Sequence, residues 1–295
     1  MSEPPPAPRE DSLELPYGLR LHVRDWGGDG RPLVLLHGLS SSSRIWDMMA
    51  PHLAPDFHVI AYDQRGHGLS DKPDGDYSFR EVTADLAALL RELGLERPII
   101  AGHSWGGNVA VQFAAEHPRE PAALVLIDGG FTEISSAEGM TWERAEEMMR
   151  PPDIDGVPVE DFVRMMKQWP DARANWSEQL QEMILYNFEI TPDKRIKRRL
   201  PIPKHMQIAR AIFDQRPSQL WGQITAPTLL LPTAMPPRNE RESAWAASKR
   251  RGVATALERL GNGKVVWMED SIHDVPIQRP QLLADTIREF AEGIA

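Results

Sequence analysis

The segment Gly102-His103-Ser104-Trp105-Gly106 places a serine between two glycines at G-x-S-x-G spacing. A short apolar run at residues 98–101 predicts a strand before it, and residues 107–117 have the spacing of a helix. The motif needs this strand–turn–helix setting, because a sharp turn exposes the serine hydroxyl above the end of the strand. We therefore predict that Ser104 is a catalytic nucleophile.

A serine hydroxyl attacks a carbonyl only when a neighbouring base takes its proton. The chain has nine histidines, and His273 lies in a loop after the last predicted strand, residues 264–268. His37 and His67 belong to turn motifs, and the side chain of His103 should point away from the adjacent serine. We predict that His273 is the general base.

The base in turn needs a carboxylate that fixes its tautomer and stabilises the imidazolium. Asp128 directly follows a predicted strand at residues 124–127 and precedes two glycines. The turn at residues 232–239, after the predicted strand 227–231, contains no acid, and Glu240 beyond it begins a predicted helix. We predict Asp128 as the acid, and Glu240 is the alternative.

The tetrahedral intermediate of acyl transfer needs two N–H donors for its oxyanion. Gly38 follows the predicted strand at residues 33–36 and allows a tight turn, so we assign one donor to Leu39 and the other to Trp105. Residues 63–70, Asp-Gln-Arg-Gly-His-Gly-Leu-Ser, predict a structural loop nearby with a contact between Asp63 and Arg65.

These residues follow short apolar runs that alternate with helical patterns, which indicates βαβ units around a mostly parallel sheet. The rhythm stops at residues 131–221, where amphipathic pieces occur without a strand-like run. We predict a flexible N-terminus at 1–12, a sheet domain at 13–130 and 222–295, and a helical insertion at 131–221. The insertion supplies candidate substrate contacts at Trp142, Met148, Met165, Trp169 and Trp176.

Composition limits the partners and the cofactors. The formal net charge of −10 argues against nucleic-acid binding, which needs a concentrated basic surface. The absence of cysteine excludes disulfides and thiolate metal sites. We expect no metal, no organic cofactor, no membrane span and a cytoplasmic location, with a homodimer as one option for the oligomeric state.

The sequence resembles the α/β-hydrolase superfamily, particularly the cap-bearing esterases, lactonases and carbon–carbon bond hydrolases. The resemblance rests on His37-Gly38, the 63–70 motif, Gly102-x-Ser104-x-Gly106-Gly107 and His273. It implies a mostly parallel central sheet flanked by helices, with the insertion forming a helical cap above the active site. Members that are epoxide hydrolases or haloalkane dehalogenases have an aspartate where this chain has Ser104. Most members place the acid after the penultimate strand, and Asp128 matches a minority that place it before the cap.

These features together predict a serine hydrolase of a medium-sized, largely hydrophobic ester or lactone, acting through an acyl-enzyme. The same triad also fits a carbon–carbon bond hydrolase, a cofactor-free lyase or an acyltransferase. A ligand-binding receptor on a hydrolase scaffold is the alternative outside catalysis.

Overall fold

The computed structural model describes residues 7–294. Its strands, in chain order, are β1 (Arg9–Glu14), β2 (Arg20–Gly27), β3 (Arg31–Leu36), β4 (Phe57–Tyr62), β5 (Ile99–His103), β6 (Ala123–Ile127), β7 (Phe188–Ile190), β8 (Ile196–Arg198), β9 (Thr228–Leu231), β10 (Thr233–Ala234), β11 (Gly263–Val265) and β12 (Met268–Glu269). Within the described residues, eight of them form the central sheet in the order β1-β2-β4-β3-β5-β6-β9-β11. The remaining strands pair as β7-β8 and β10-β12.

Helices cover the sheet and occupy about half of the segment between β6 and β9. In chain order they are α1 (Ala50–Leu53), α2 (Phe79–Glu92), α3 (Trp105–Glu116), α4 (Trp142–Met149), α5 (Val159–Met166), α6 (Pro170–Arg173), α7 (Glu178–Leu185), α8 (Ile202–Asp214), α9 (Pro217–Leu220), α10 (Glu240–Arg259), α11 (Val275–Gln278) and α12 (Pro280–Ala291). Among the described residues, no helix is both long enough and apolar enough to span a bilayer.

The central sheet is antiparallel at β1-β2-β4 and parallel from β4 to β11. Its inner strands are apolar at successive positions because both faces are covered by helices. In β3, Leu33 and Leu35 pack into one hydrophobic cluster, and Val34 and Leu36 pack into the other on the opposite face. This arrangement confirms the predicted α/β-hydrolase fold.

The N-terminal prediction needs a correction. Residues 9–12, predicted to be flexible, lie in β1, which pairs along its whole length with β2 from Arg9↔Asp25 to Glu14↔Arg20. Backbone pairing orders this strand although its side chains are mostly exposed, and an exposed edge strand has little hydrophobic signal in the sequence. Residues 1–6, which belong to the same prediction, lie outside the described residues.

The segment 131–221, hereafter the inserted segment, lies between β6 and β9 in the chain. It contains α4 to α9, of which α4, α5, α7 and α8 correspond to predicted amphipathic pieces. It also contains the antiparallel pair β7-β8, which the sequence prediction missed. Each of these strands has three residues and a charged centre, Glu189 or Lys197, so neither forms a recognisable apolar run. Lys194 closes the hairpin with a φ of 60°.

The predicted strand at 264–268 is divided in two. β11 remains at the edge of the central sheet, and β12 leaves it to pair in parallel with β10 through Thr233↔Met268. Because β10 follows β9 directly, this small pair lies beyond the carboxyl end of the sheet. It brings the loop that carries His273 close to Thr233 and to the end of β6.

Candidate active site

Ser104 occupies the sharp turn between β5 and α3, with φ 53° and ψ −120°. This left-handed φ is strained for a residue with a side chain. A Cβ on Gly102 would lie 2.2 Å from the carbonyl oxygen of Gly106, and a Cβ on Gly106 would lie 2.2 Å from that of Leu36. Only glycines therefore allow this turn to pack so closely, which explains the spacing of the motif.

Asp128 follows β6 and is 8% exposed, with φ 44°. One carboxylate oxygen, Oδ2, accepts a hydrogen bond from His273 Nδ1 at 2.6 Å. The other, Oδ1, accepts from the Thr233 backbone N–H at 2.9 Å and lies 2.7 Å from Lys249 Nζ. Glu240, the alternative acid, begins α10 on the exposed surface.

His273 lies in the loop between β12 and α11, where its ring is half-exposed. Because Nδ1 donates to the Asp128 carboxylate, Nε2 carries the free lone pair of the neutral ring. His103, on the neighbouring strand end, donates from Nε2 to the carbonyl oxygen of His273 at 2.9 Å. Within the described residues, Ser104 Oγ makes no hydrogen bond to the His273 ring. Such bonds often form only when substrate binds.

The electrostatics of these groups favour a charged acid and a basic imidazole. Burial alone would raise the pKa of Asp128, but the bonds and charges of His273 and Lys249 hold it well below its usual range. Loss of solvation lowers the pKa of His273. The hydrogen bond to Asp128 and the negative charge of Asp128 raise this pKa by more, so the net shift is upward. Burial and the nearby His273 lower the pKa of His103 to about 4, which keeps that ring neutral.

The loop after β3 runs directly beside the Ser104 side chain. A Cβ on Gly38 would lie 3.0 Å from Ser104 Cβ and 3.5 Å from Ser104 Oγ. The next backbone N–H, that of Leu39, makes no backbone hydrogen bond in the described part of the chain. Trp105 is the first residue of α3, where backbone N–H groups have no acceptor within the helix. The Trp105 N–H thus adjoins the serine in the chain, and the Leu39 N–H follows the residue that packs against the Ser104 side chain.

Buried histidines hold this loop in place. His37 donates from Nδ1 to the Gly38 carbonyl at 2.8 Å and accepts from the Gln64 N–H at 2.9 Å. Ser40, with φ 60°, donates its N–H to His67 at 3.3 Å, and its hydroxyl lies 2.8 Å from Nδ1 of His205 in the inserted segment.

The loop at residues 63–70 is structural, but its predicted Asp63–Arg65 contact was wrong. Asp63 accepts hydrogen bonds from Ser43, from the Leu69 N–H at 2.9 Å and from the Tyr186 hydroxyl at 2.8 Å. The Arg65 guanidinium instead makes a two-bond contact with Asp85 of α2, at 2.5 and 2.7 Å. Although Asp63 and Arg65 are only two residues apart, their side chains point to different layers of the fold.

A cleft of about 330 Å³ lies between the loop after β3 and the inserted segment. Its wall is mostly apolar and is formed by Leu39, Ser40, Ser41, Ser42, Ile45, Pro152, Ile154, Phe162, Met165, Met166, Trp169, Met183, Ile184, Asn187, Phe188, Arg198, Asp274 and Ile277. Of the five predicted substrate contacts, Met165 and Trp169 line this cleft.

The other three predicted contacts lie elsewhere, because tertiary packing turns them away from the cleft. Trp142 packs against Phe213 at 5.5 Å between ring centroids. Trp176 lies under the Lys167 ammonium, 5.4 Å from it, and Met148 is 47% exposed. Within residues 7–294, no group of three or more histidine or carboxylate side chains is arranged to hold a metal ion.

Comparison with known proteins agrees with this architecture. Residues 31–231 match the family model described as alpha/beta hydrolase fold. The chain belongs to this family. Epoxide hydrolase 1 of Caenorhabditis elegans is 39% identical over 290 residues, which cover 92% of this chain and 68% of that protein.

Other matches are shorter or more distant. An uncharacterized protein of Mycobacterium tuberculosis is 43% identical over 103 residues, 35% of this chain and 30% of its own length. Because the match spans less than a third of that relative, it does not indicate the activity or the partners of this chain. The solved structure of an esterase from Exiguobacterium antarcticum has a TM-score of 0.73 at 18% identity, covering 97% of this chain and 100% of that one. This likeness shows the fold.

Sequence reasoning missed Lys249, Tyr186 and His205, all of which contact the site or its supporting loops. For Lys249 a signal existed: it shares one face of α10 with the buried residues Val253 and Ala256, at helical spacing. A lysine on an apolar helix face needs a buried partner. Tyr186 and His205 gave no such signal, because their partners are more than 120 residues away in the chain.

Proposed function

We propose that this alpha/beta hydrolase is a serine hydrolase that cleaves a carboxylic ester or lactone through Ser104, His273 and Asp128. The observation that carries the proposal is the 2.6 Å bond between Asp128 and His273 beside the strained turn of Ser104. An imidazole oriented by a buried carboxylate, at the same end of the sheet as a partly buried serine in a strained turn, fits the activation of a serine nucleophile.

In the proposed reaction, Ser104 Oγ attacks the substrate carbonyl while Nε2 of His273 takes the hydroxyl proton. The N–H groups of Leu39 and Trp105 stabilise the oxyanion, and one such donor contributes about 3–4 kcal/mol to the transition state. His273 then gives its proton to the leaving alcohol oxygen as the carbon–oxygen bond breaks, which forms an acyl-enzyme. The alcohol of an ester departs, and that of a lactone stays attached to the acyl chain. Water, deprotonated by His273, attacks this ester and releases the acid together with free Ser104.

The proposed substrate is of medium size and largely hydrophobic, and the inserted segment acts as a cap over it. The cleft of about 330 Å³ is at the small end of typical ligand pockets, roughly 300–1,000 Å³. Met165 and Met166 supply flexible apolar surface that adapts to different acyl groups. The serine at the nucleophile position favours ester chemistry over the epoxide chemistry named for the nematode relative.

A fluorophosphonate probe tests the nucleophile, because it reacts only with an activated serine. We expect the wild-type protein and the Ser136→Ala control, an exposed serine in the inserted segment, to be labelled, and Ser104→Ala to remain unlabelled. Equal labelling of Ser104→Ala would contradict the proposal. A panel of esters, lactones and carbon–carbon substrates then separates the ester and lactone assignment from carbon–carbon cleavage.

A further inference from the structure

Lys249 of α10 makes three close contacts at the acid of the candidate triad. Its Nζ lies 2.7 Å from Asp128 Oδ1, 2.9 Å from the Thr233 carbonyl oxygen and 3.0 Å from Thr233 Oγ1. These acceptors match the three donors of an ammonium group. The lysine side chain is 11% exposed, so the pair has little contact with water.

The contacts divide the Asp128 carboxylate between two partners. Oδ2 faces His273, and Oδ1 faces Lys249 together with the Thr233 N–H. The lysine thus fixes the rotation of the carboxylate and directs Oδ2 toward the imidazole. It also balances the buried negative charge before His273 takes up any proton.

Two further titratable groups lie beside His273. His103, on the strand end beside it, is neutral, with ring centroids 4.7 Å apart. Asp274, the next residue along the chain, has a side chain that is 54% exposed, so water screens its charge. Among the described residues, Asp128 raises the pKa of His273 from a buried position, Asp274 raises it from the exposed side, and Lys249 is the buried cation that lowers it.

The geometry points to Lys249 as a positioning residue that sets the pH at which His273 becomes a base. This inference rests on the proposed function, in which neutral His273 activates Ser104. A cation beside Asp128 reduces the attraction of that carboxylate for a protonated imidazole. With Lys249 in place, His273 releases its proton at a lower pH, and the enzyme stays active further into the acid range.

The test is the pH dependence of the fluorophosphonate labelling rate in Lys249→Met and Lys249→Gln. Both variants lose the charge, and glutamine keeps a hydrogen-bond donor at the position. We expect the midpoint of the acid limb to rise by about one pH unit in both, since a buried charge this close typically shifts a neighbouring pKa by that order. Raising the salt concentration should not reproduce the shift, because the pair is buried.

Two controls separate charge from structure. Lys249→Arg keeps the cation, so the midpoint of the acid limb should remain at the wild-type pH. Arg250→Met removes the same charge from the exposed neighbouring position of α10 and should leave the midpoint unchanged. If the neutral variants lose rate equally at every pH with an unshifted midpoint, the role of Lys249 is only structural and the inference is overturned. Failure of the proposed function gives a different result, since Ser104→Ala would then be labelled like the wild type.

Discussion

The carboxyl edge of the central sheet and the inserted segment differ in how tightly their side chains are held. At the sheet edge, the glycines of the Ser104 turn lie against backbone atoms, and the Asp128 carboxylate is held by three groups, from His273, Thr233 and Lys249. In the inserted segment, Met165 and Trp169 line the cleft while 39% and 55% exposed. Rigid support suits residues that must meet at fixed distances, and loose apolar packing suits a surface that accepts varied substrates.

The largest effect is expected from a change of Asp128, the acid at the rigid sheet edge. Asp128→Asn should lower turnover roughly 10³–10⁴-fold, because an amide no longer fixes the productive tautomer of His273. Glu240→Gln is the matched control and should be nearly normal. Steady-state kinetics with an aryl ester measures both, and near-normal turnover of Asp128→Asn with collapse of Glu240→Gln would assign the acid to α10.

A smaller effect is expected where the loop after β3 touches the nucleophile. Gly38→Ala places a methyl group 3.0 Å from Ser104 Cβ, which is closer than ordinary contact, so the loop that carries the Leu39 N–H must shift relative to Ser104. Loss of one oxyanion donor costs about 10²-fold in kcat. Gly261→Ala, where the added methyl meets open space, serves as the control. Unchanged kcat in Gly38→Ala would show that this loop is not held as tightly as the geometry indicates.

The comparison predicts a different kinetic signature for the inserted segment. Trp169→Ala should raise KM for a long-chain aryl ester by about tenfold and leave kcat within a factor of about two, because it removes apolar binding without touching the reacting groups. Trp245→Ala is the control, since Trp245 is a similarly exposed tryptophan of α10. A fall in kcat at constant KM would show instead that Trp169 supports the reacting groups and not substrate binding.

The smallest effect should come from one of the contacts that join the two regions. Tyr186→Phe removes the hydroxyl that donates to Asp63 at 2.8 Å, and the free energy of unfolding should fall by about 1–2 kcal/mol. Urea unfolding measures this change, and limited proteolysis should show faster cleavage within 131–221. Tyr77→Phe loses a bond to the Pro73 carbonyl inside the sheet domain and should not expose the inserted segment. Equal proteolysis of the two variants would argue against Tyr186 as the connection.

Local sequence signals were sufficient where a single element carries the information. The buried run of β5, the Ser104 motif and α3 were recognisable together because they are consecutive and each has its own pattern. β7 and β8 were missed because three residues with a charged centre give no period to recognise. Met148 and Trp142 are of the same residue types as Met165 and Trp169, which line the cleft, but they lie outside it. Residue type alone does not indicate which face of a helix is turned toward the cleft.

The sequence by itself determined the fold, the position of the serine turn and the late loop that carries His273, because glycine spacing and apolar periodicity are local properties. It left Asp128 and Glu240 as competing acids. Only the tertiary structure decided that Asp128 meets His273, 145 residues away, because the pairing of β6 with β9 and of β10 with β12 brings both strand ends together. The tertiary structure also identified Asp128 as the partner of Lys249, because the helix pattern of α10 indicates only that this lysine needs a buried partner.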